Sequence, residues 1–290
     1  MENERKKIIY VIGTGRSGTT LLDIVLGNAT GVVSVGEIVR FPELRGRPHG
    51  FAPGSANFSF WAEIGEAFFA RFDRQRDFDA LRQLASRLES HRYFLCNLLG
   101  WINPETATRY REYINAFFGA IFAKTGASVV VDSSKYPGRA LALARYLDYD
   151  VYYLHLIRSP LGVVSSFAKK DVEQPAKGLL AANLYYFVIR SFCLLVRLHL
   201  PKERFLAVRF DDLRQHPARE IARVAAHFNI CLDKPAELIL AGQPLKVGPL
   251  FEGNRIRMKE SITFRSSSGE GRLSVFAKFT TLLINTIWNH

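Results

Sequence analysis

Residues 13–20 read Gly-Thr-Gly-Arg-Ser-Gly-Thr-Thr and directly follow a short apolar run at residues 8–12. Apolar residues then recur at helical spacing over residues 21–26. The pattern predicts a buried strand, a glycine-rich turn and the start of a helix. Such a turn binds anions, because glycines let the backbone approach a ligand closely and the free N–H groups of the helix start point at it. Arg16 and the hydroxyl groups of the loop add side-chain donors.

The loop departs at one position from G-x-x-x-x-G-K-[ST], the phosphate loop of nucleotide triphosphatases. Gly13 and Gly18 match the two glycines and Thr20 matches the final hydroxyl, but Thr19 stands where the lysine should be. That lysine reaches the β- and γ-phosphates. This chain instead carries a basic residue earlier in the loop, Arg16. The loop is therefore shaped for phosphate but lacks the cation that a nucleoside triphosphate requires.

The composition is that of a folded, basic chain of 290 residues, with a net charge of +12 and 48% hydrophobic residues. A positive charge of this size suits a polyanionic ligand, nucleic acid or an anionic membrane surface. No predicted helix interleaves arginine with aromatic residues, so we expect no nucleic-acid partner. Cys96, Cys193 and Cys231 lack the spacing of a metal site, and the seven histidines form no cluster. We therefore expect no metal ion and a reducing compartment.

Short apolar runs alternate with helical patterns along the chain, which favours a parallel sheet covered by helices. We predict an α/β fold, with a P-loop-like doubly wound parallel sheet of about five strands in a single domain over residues 1–290. Residues 40–125 are predicted to be a mainly helical insertion whose aromatic residues belong to the core. The predicted strands cover residues 8–12, 32–35, 128–131, 151–157 and 205–208.

Two segments bear on the question of a membrane. The charged N-terminus leads directly into the first strand, so we expect no signal peptide and no anchor before it. Residues 178–200 are apolar but are interrupted by Asn183, Arg190 and Arg197, which predicts an amphipathic core helix. We therefore expect a cytoplasmic protein, with peripheral contact to the inner membrane surface as an alternative. The sequence favours no particular oligomeric state.

The loop sequence Gly-x-x-Arg-Ser-Gly-Thr-Thr-Leu-Leu resembles the 5′-phosphosulfate loop of sulfotransferases that use 3′-phosphoadenosine 5′-phosphosulfate (PAPS). Residues 151–170 resemble the 3′-phosphate segment of that family, with an arginine at a strand end and a serine eight residues later. The chain is similar to bacterial members related to carbohydrate and tyrosylprotein sulfotransferases. The resemblance implies a PAPS site formed by Gly15, Arg16, Ser17, Gly18, Thr19, Thr20, Arg158, Ser166 and Arg257.

The same resemblance implies which residue removes the proton from the acceptor. Val35-Gly36-Glu37 ends the second predicted strand, and related members carry a Gly-Glu there whose acidic residue is the base. Tyrosylprotein sulfotransferases use the second of two acidic residues, whereas the second position here is Ile38. Glu37 is therefore the implied base, and His49 is the reserve candidate. The Gly- and Pro-rich segment 45–55 is a candidate lid over the acceptor site.

Two further positions follow from the resemblance. Lys135, in Asp-Ser-Ser-Lys after the third strand, is implied to stabilise charge on the leaving phosphate beside Arg16. Asp132 is expected to orient Lys135 or to cap a helix. Residues 253–257 resemble a Gly-Asn-x-x-Arg segment that closes over the nucleotide, which makes Arg257 the implied anion contact.

Three activities are compatible with these residues. The first is metal-independent sulfuryl transfer from PAPS to a hydroxyl or amine of a carbohydrate, glycolipid or small molecule. The second is a P-loop small-molecule kinase, against which Thr19 argues because a Walker lysine should stand there. The third is a non-catalytic nucleotide-binding module, against which the presence of Glu37 and Lys135 argues.

Overall fold

The computed structural model describes residues 6–72, 75–168, 176–266 and 273–288. Within them, five strands form one sheet and two form another. The large sheet contains β1 (Lys7–Gly13), β2 (Val32–Gly36), β3 (Val129–Lys135), β4 (Asp150–Ile157) and β5 (Phe205–Arg209), and the small sheet contains β6 (Pro244–Lys246) and β7 (Ser261–Thr263).

The large sheet is parallel throughout and has the strand order β2-β3-β1-β4-β5. This confirms the predicted parallel sheet of about five strands. β1 lies in the centre, with β3 on one side and β4 on the other. The strand order therefore reverses at β1, and ligands of open α/β sheets bind in the crevice at the carboxyl ends beside such a point.

Helices connect the strands and form both outer layers. Proline stands in the first turn of several of them, where its missing N–H costs nothing, and Asn103 and Ser159 cap two of these. The α-helices are α1 (Thr19–Gly27), α2 (Ala56–Arg71), α3 (Phe78–Glu89), α4 (Phe94–Leu98), α5 (Pro104–Thr125), α6 (Pro137–Tyr146), α7 (Pro160–Phe167), α8 (Leu179–His199), α9 (Phe210–Gln215), α10 (Pro217–Phe228), α11 (Asp233–Leu240) and α12 (Val275–Ile284).

The core lies on both faces of the sheet. Along β1, Ile8, Tyr10 and Ile12 pack with the insertion and α8, whereas Ile9 and Val11 pack with α1 and α10. This alternation follows from the two-residue period of a strand. All five side chains are fully buried, which confirms a sheet wound with helices on both faces.

Helices α2 to α5 lie between β2 and β3 and form the predicted helical insertion. Its centre is an aromatic cluster around Phe41, whose ring lies 4.6 Å from Phe117 and 6.1 Å from Phe68. Trp61 and Phe251 close the same cluster. These side chains are buried, as expected of core residues.

A buried ionic network joins the insertion to the sheet. Arg139 on α6 is fully buried and donates to Asp132 on β3 (Nε to Oδ2, 2.8 Å) and to Glu89 at the end of α3. Tyr110 donates to Glu89 at 2.6 Å. The prediction that Asp132 orients Lys135 or caps a helix is therefore wrong, since its carboxylate binds Arg139.

Two features of the sheets were not predicted. β3 continues past Asp132 to Lys135 because the hydroxyls of Ser133 and Ser134 donate to carboxylates inside the protein. The β6–β7 pair is antiparallel and short, and it ties together the two ends of segment 247–260. Residues 1–5, Lys169 and Lys170, which entered the sequence predictions, lie outside the described residues.

Candidate functional site

The glycine loop leaves β1 at Gly13 and enters α1 through Gly18. Gly18 has φ +96°, and a Cβ there would lie 2.1 Å from a ring carbon of Phe210, so only glycine fits. Arg16 also has positive φ, at +65°. The Ser17 hydroxyl donates to the Thr14 carbonyl at 2.7 Å and is buried. Ser17 therefore braces the loop from inside.

Two side chains from distant elements hold the loop from outside. The Tyr185 hydroxyl on α8 accepts the Gly15 N–H at 2.9 Å, and burial raises the pKa of this tyrosine to about 12. The Arg158 guanidinium donates to the Arg16 carbonyl at 2.8 Å. Tyr185 escaped the sequence predictions because nothing local relates α8 to a loop 170 residues earlier.

A cavity of about 140 Å³ opens at the carboxyl end of the sheet beside this loop. It unites residues from six separate parts of the chain, which only the strand order brings together. Most of the predicted site lies here, whereas Gly15, Ser17 and Arg257 are not among the described residues that line it. The lining consists of Arg16, Gly18, Thr19, Thr20, Leu21, Glu37, Lys135, Arg158, Ser166, Asn254 and Ile256.

Glu37 and Lys135 face each other across the cavity wall. Glu37 follows β2 and Lys135 ends β3, and these strands are neighbours. The Lys135 ammonium donates to Glu37 Oε1 at 2.5 Å, and the two side chains are only 10% and 12% exposed. Lys135 has φ +72°, in a β-bulge where its strand shifts register against β1. The bulge turns the lysine toward the cavity.

Segment 250–254 forms the remaining wall. It pairs with the end of β2, since Phe251 N–H donates to the Val35 carbonyl at 2.8 Å and Glu37 N–H donates to the Glu252 carbonyl at 3.0 Å. The Asn254 N–H then donates to Thr20 Oγ1 at 3.0 Å. The segment predicted to close over the nucleotide therefore contacts the loop through its backbone.

Arg257 and His49 lie away from the cavity lining. Arg257 is buried, and its guanidinium donates to the His49 carbonyl at 2.9 Å and lies 3.3 Å from Glu252 Oε1. His49 also binds Glu252, by its N–H at 2.9 Å, and its side chain is 63% exposed. Arg257 fastens the 45–55 loop to segment 250–257 in this structure.

Asp23 is a buried carboxyl between α1 and β3 that no sequence motif marks. It lies on α1 and accepts a hydrogen bond from the Ser133 hydroxyl at 2.6 Å. Burial raises its pKa from 3.8 to about 7, and the nearby Asp132 and Glu37 charges act in the same direction. Asp23 therefore releases its proton at a higher pH than an exposed aspartate does.

A larger cavity of about 490 Å³ lies between the sheet edge and α3. Two of its lining residues are close in sequence to the Glu37–Lys135 pair: Tyr136 follows Lys135, and Val39 is two residues after Glu37. The Val39 N–H donates to Ser134 Oγ at 3.0 Å and fixes this corner. The cavity is lined by Val39, Arg40, Pro42, Glu43, Arg82, Gln83, Ala85, Ser86, Arg87, Glu89, Ser90, Tyr93 and Tyr136.

The charges of the smaller cavity favour an anion. Arg16, Arg158 and Lys135 line it together with loop hydroxyls and the start of α1. Among the described lining residues, Glu37 is the single carboxylate, so positive charge exceeds negative charge. Within the described ranges, no group of three or more His, Cys, Asp and Glu is placed to hold a metal ion.

Comparison with known proteins assigns a family to this fold and site. Residues 9–234 match the family model described as the Sulfotransferase family. The chain belongs to the sulfotransferase family. No curated protein matches this sulfotransferase.

Two solved structures share its fold. One is the sulfotransferase domain from the curacin biosynthetic pathway, at 16% identity and a TM-score of 0.54 over 97% of each chain. The other is the sulfotransferase domain from the Synechococcus PCC 7002 olefin synthase, also at 16% identity, with a TM-score of 0.50 over 99% of this chain and 96% of that one. The P-loop-like α/β fold predicted from the sequence is thereby confirmed.

Proposed function

We propose that this sulfotransferase transfers the sulfuryl group of PAPS to a hydroxyl or amine of an acceptor. The observation that carries the proposal is the cavity itself, which gathers Arg16, Thr20, Arg158 and Ser166 around the anion-binding start of α1. The loop would hold the 5′-phosphosulfate, and Arg158 with Ser166 would hold the 3′-phosphate. PAPS supplies an activated sulfuryl group with a phosphate as its leaving group.

Side chains that line the cavity would then stabilise the charge of the leaving phosphate and accept one proton from the acceptor. Arg16 and Lys135 place fixed positive charge where the leaving phosphate gains negative charge. Glu37 is the carboxylate of the same wall, and we propose that it accepts the proton of the acceptor's hydroxyl or amine. Fixed cations and backbone N–H groups would manage the ligand's charge without a metal ion.

We further propose that the acceptor enters from the larger cavity. Its wall reaches within two residues of Glu37 at Val39, in the 3-10 turn Ile38–Arg40, and Tyr136 follows Lys135. An acceptor seated there would present its nucleophile to the Glu37–Lys135 pair from the side opposite the loop. The mixed arginine, tyrosine and hydroxyl lining suits a polar acceptor, such as a carbohydrate or the headgroup of a glycolipid.

The free thiols of Cys96, Cys193 and Cys231 are in keeping with a cytoplasmic enzyme. The reaction needs no oxidising compartment, and PAPS is a soluble nucleotide. We therefore propose that the enzyme works in the cytoplasm, where its active site would have access to the nucleotide pool.

The test is transfer of ³⁵S-sulfate from labelled PAPS to a panel of hydroxyl- and amine-bearing acceptors. Glu37→Gln should lower kcat by at least about a hundredfold, while the affinity for 3′-phosphoadenosine 5′-phosphate (PAP) stays within about threefold. Glu63→Gln, on the exposed face of α2, is the matched control and should keep full activity. Unchanged turnover in Glu37→Gln would remove Glu37 as the base. Transfer from Mg-ATP instead of PAPS would favour the kinase.

A further inference from the structure

Helix α12 packs small and polar side chains against the protein and exposes its large apolar ones, the opposite of a typical surface helix. The residues it packs inward are small or polar: Ala277, Thr281 and Asn285 at its C-cap are buried. Asn285 donates to Asn183 of α8 at 2.8 Å, and Asn183 donates to Thr281 at 3.2 Å. The large apolar side chains of the same segment face outward, namely Val275, Phe276, Phe279, Leu283 and Ile287.

Helix α8 continues this apolar surface. Leu180, Leu184, Leu194 and Leu198 are exposed, and they recur along one stripe of the helix at intervals compatible with its 3.6-residue period. Of the described helices, α8 alone is long and apolar enough to span a membrane by length and composition. Away from this stripe, Tyr185 holds the glycine loop, and Asn183, beside the stripe, donates to Thr281 of α12.

The two helices carry only positive charge. Their sequences contain Arg190, Arg197 and Lys278 and no Asp or Glu. Arg197 and Lys278 are exposed. Apolar side chains bordered by basic ones, on helices that lie along the surface, are typical of proteins that rest in the interface of an anionic bilayer.

We propose that the outer faces of α8 and α12 form a peripheral membrane-docking surface that binds bilayers rich in anionic phospholipid. The apolar side chains of α12 would enter the acyl boundary, and Lys278 and Arg197 would meet the headgroups. The net charge of +12 attracts the whole protein to such a surface. A symmetric pairing of two copies through this face is disfavoured, because the two helices carry no Asp or Glu that could pair with the cations of the other copy.

The proposed docking surface does not depend on the proposed reaction, but it affects which acceptors the enzyme could reach. Because α8 contacts both α12 and the glycine loop, docking would hold the nucleotide site one helix away from the bilayer. A membrane-embedded acceptor could then reach the enzyme without leaving the bilayer.

The experiment is co-sedimentation of the full chain with vesicles of phosphatidylethanolamine and phosphatidylglycerol, with pure phosphatidylcholine vesicles beside them. The wild type should pellet with the anionic vesicles and bind several-fold less to the neutral ones, and binding should weaken as salt rises. The double variant Phe276→Ser/Phe279→Ser should bind at least about tenfold more weakly. Leu240→Ser, which removes an equally exposed leucine from α11, is the control and should bind as the wild type does.

Wild-type protein that stays in the supernatant at low salt would overturn the proposal, and so would a double variant that still pellets fully. Sedimentation velocity tests the alternative that a second copy of this chain binds to the α8–α12 face. A wild-type dimer that the double variant converts to monomer, without vesicle binding, would assign the face to self-association instead. Both proteins should unfold at the same concentration of urea, which shows that the variant is folded.

Discussion

Replacing Asp23 by asparagine should change how the stability of this protein depends on pH. The carboxyl is fully buried between α1 and β3, and burial raises its pKa from 3.8 to about 7. Asparagine has nearly the same shape and can still accept the hydrogen bond from Ser133. The substitution therefore removes the titration with little change in packing.

The direction in which pH changes the free energy of unfolding depends on whether the folded or the unfolded state holds the Asp23 proton more tightly. As pH rises above about 4, the unfolded chain releases the Asp23 proton while the folded protein keeps it, so the free energy of unfolding falls. The fall ends once the folded protein also releases the proton, near pH 7. At about 1.4 kcal/mol per pKa unit, the gap between 3.8 and about 7 costs the wild type up to about 4 kcal/mol at pH 8. About 3 kcal/mol of that lies between pH 5 and pH 8.

The assay is urea unfolding at pH 5 and pH 8, followed by tryptophan fluorescence. The difference in unfolding free energy between Asp23→Asn and wild type should move by about 3 kcal/mol in favour of the variant from pH 5 to pH 8. Asp79→Asn, which removes an exposed carboxylate on α3, is the matched control and should show little such movement. A difference for Asp23→Asn that stays constant over this range would refute the reasoning, because Asp23 would then be ionised in the folded protein throughout.

Three further predictions concern the loop and the buried network. Gly18→Ala should weaken PAP binding more than tenfold in a calorimetric titration, because φ +96° and the Phe210 ring both exclude a Cβ; wild-type affinity would contradict this. Arg139→Met should lower the free energy of unfolding in urea by about 3–5 kcal/mol, since it leaves two buried carboxylates unpaired; a loss below about 1 kcal/mol would refute it. Tyr185→Phe removes the acceptor of the Gly15 N–H and should cost about 1–3 kcal/mol in thermal unfolding, whereas an unchanged Tm would show that the bond contributes nothing.

The sequence predicted the features that depend on local pattern. The alternation of apolar runs and helical periods predicted the parallel sheet. The glycine loop was recognisable because each of its residues has a local reason, such as positive φ at Gly18. Arg158 and Ser166 were placed by resemblance, and the strand order brings them to the loop.

The features that were missed depend on long-range packing. The Tyr185 hydroxyl on α8 accepts the Gly15 N–H from a loop 170 residues earlier, and Asp23 on α1 accepts from Ser133, which lies 110 residues later on β3. Asp132 was expected to orient Lys135 or to cap a helix, but its carboxylate accepts from the buried Arg139 on α6, the helix that follows β3. The outward apolar face of α12 was missed because helical period alone does not say which face packs inward.

The measurement that tests the central proposal most directly is the affinity of PAP relative to 5′-AMP, without metal, in wild type and in Arg158→Ala. PAP carries the 3′-phosphate that Arg158 and Ser166 are proposed to hold, and 5′-AMP lacks it. Wild type should bind PAP at least about tenfold more tightly, by roughly one charge-assisted contact, and the ratio should fall toward one in Arg158→Ala. Arg204→Ala, directly before β5 at the opposite edge of the sheet, should keep the wild-type ratio. Equal affinity for the two nucleotides in wild type, together with tight binding of Mg-ATP, would contradict the proposed PAPS site.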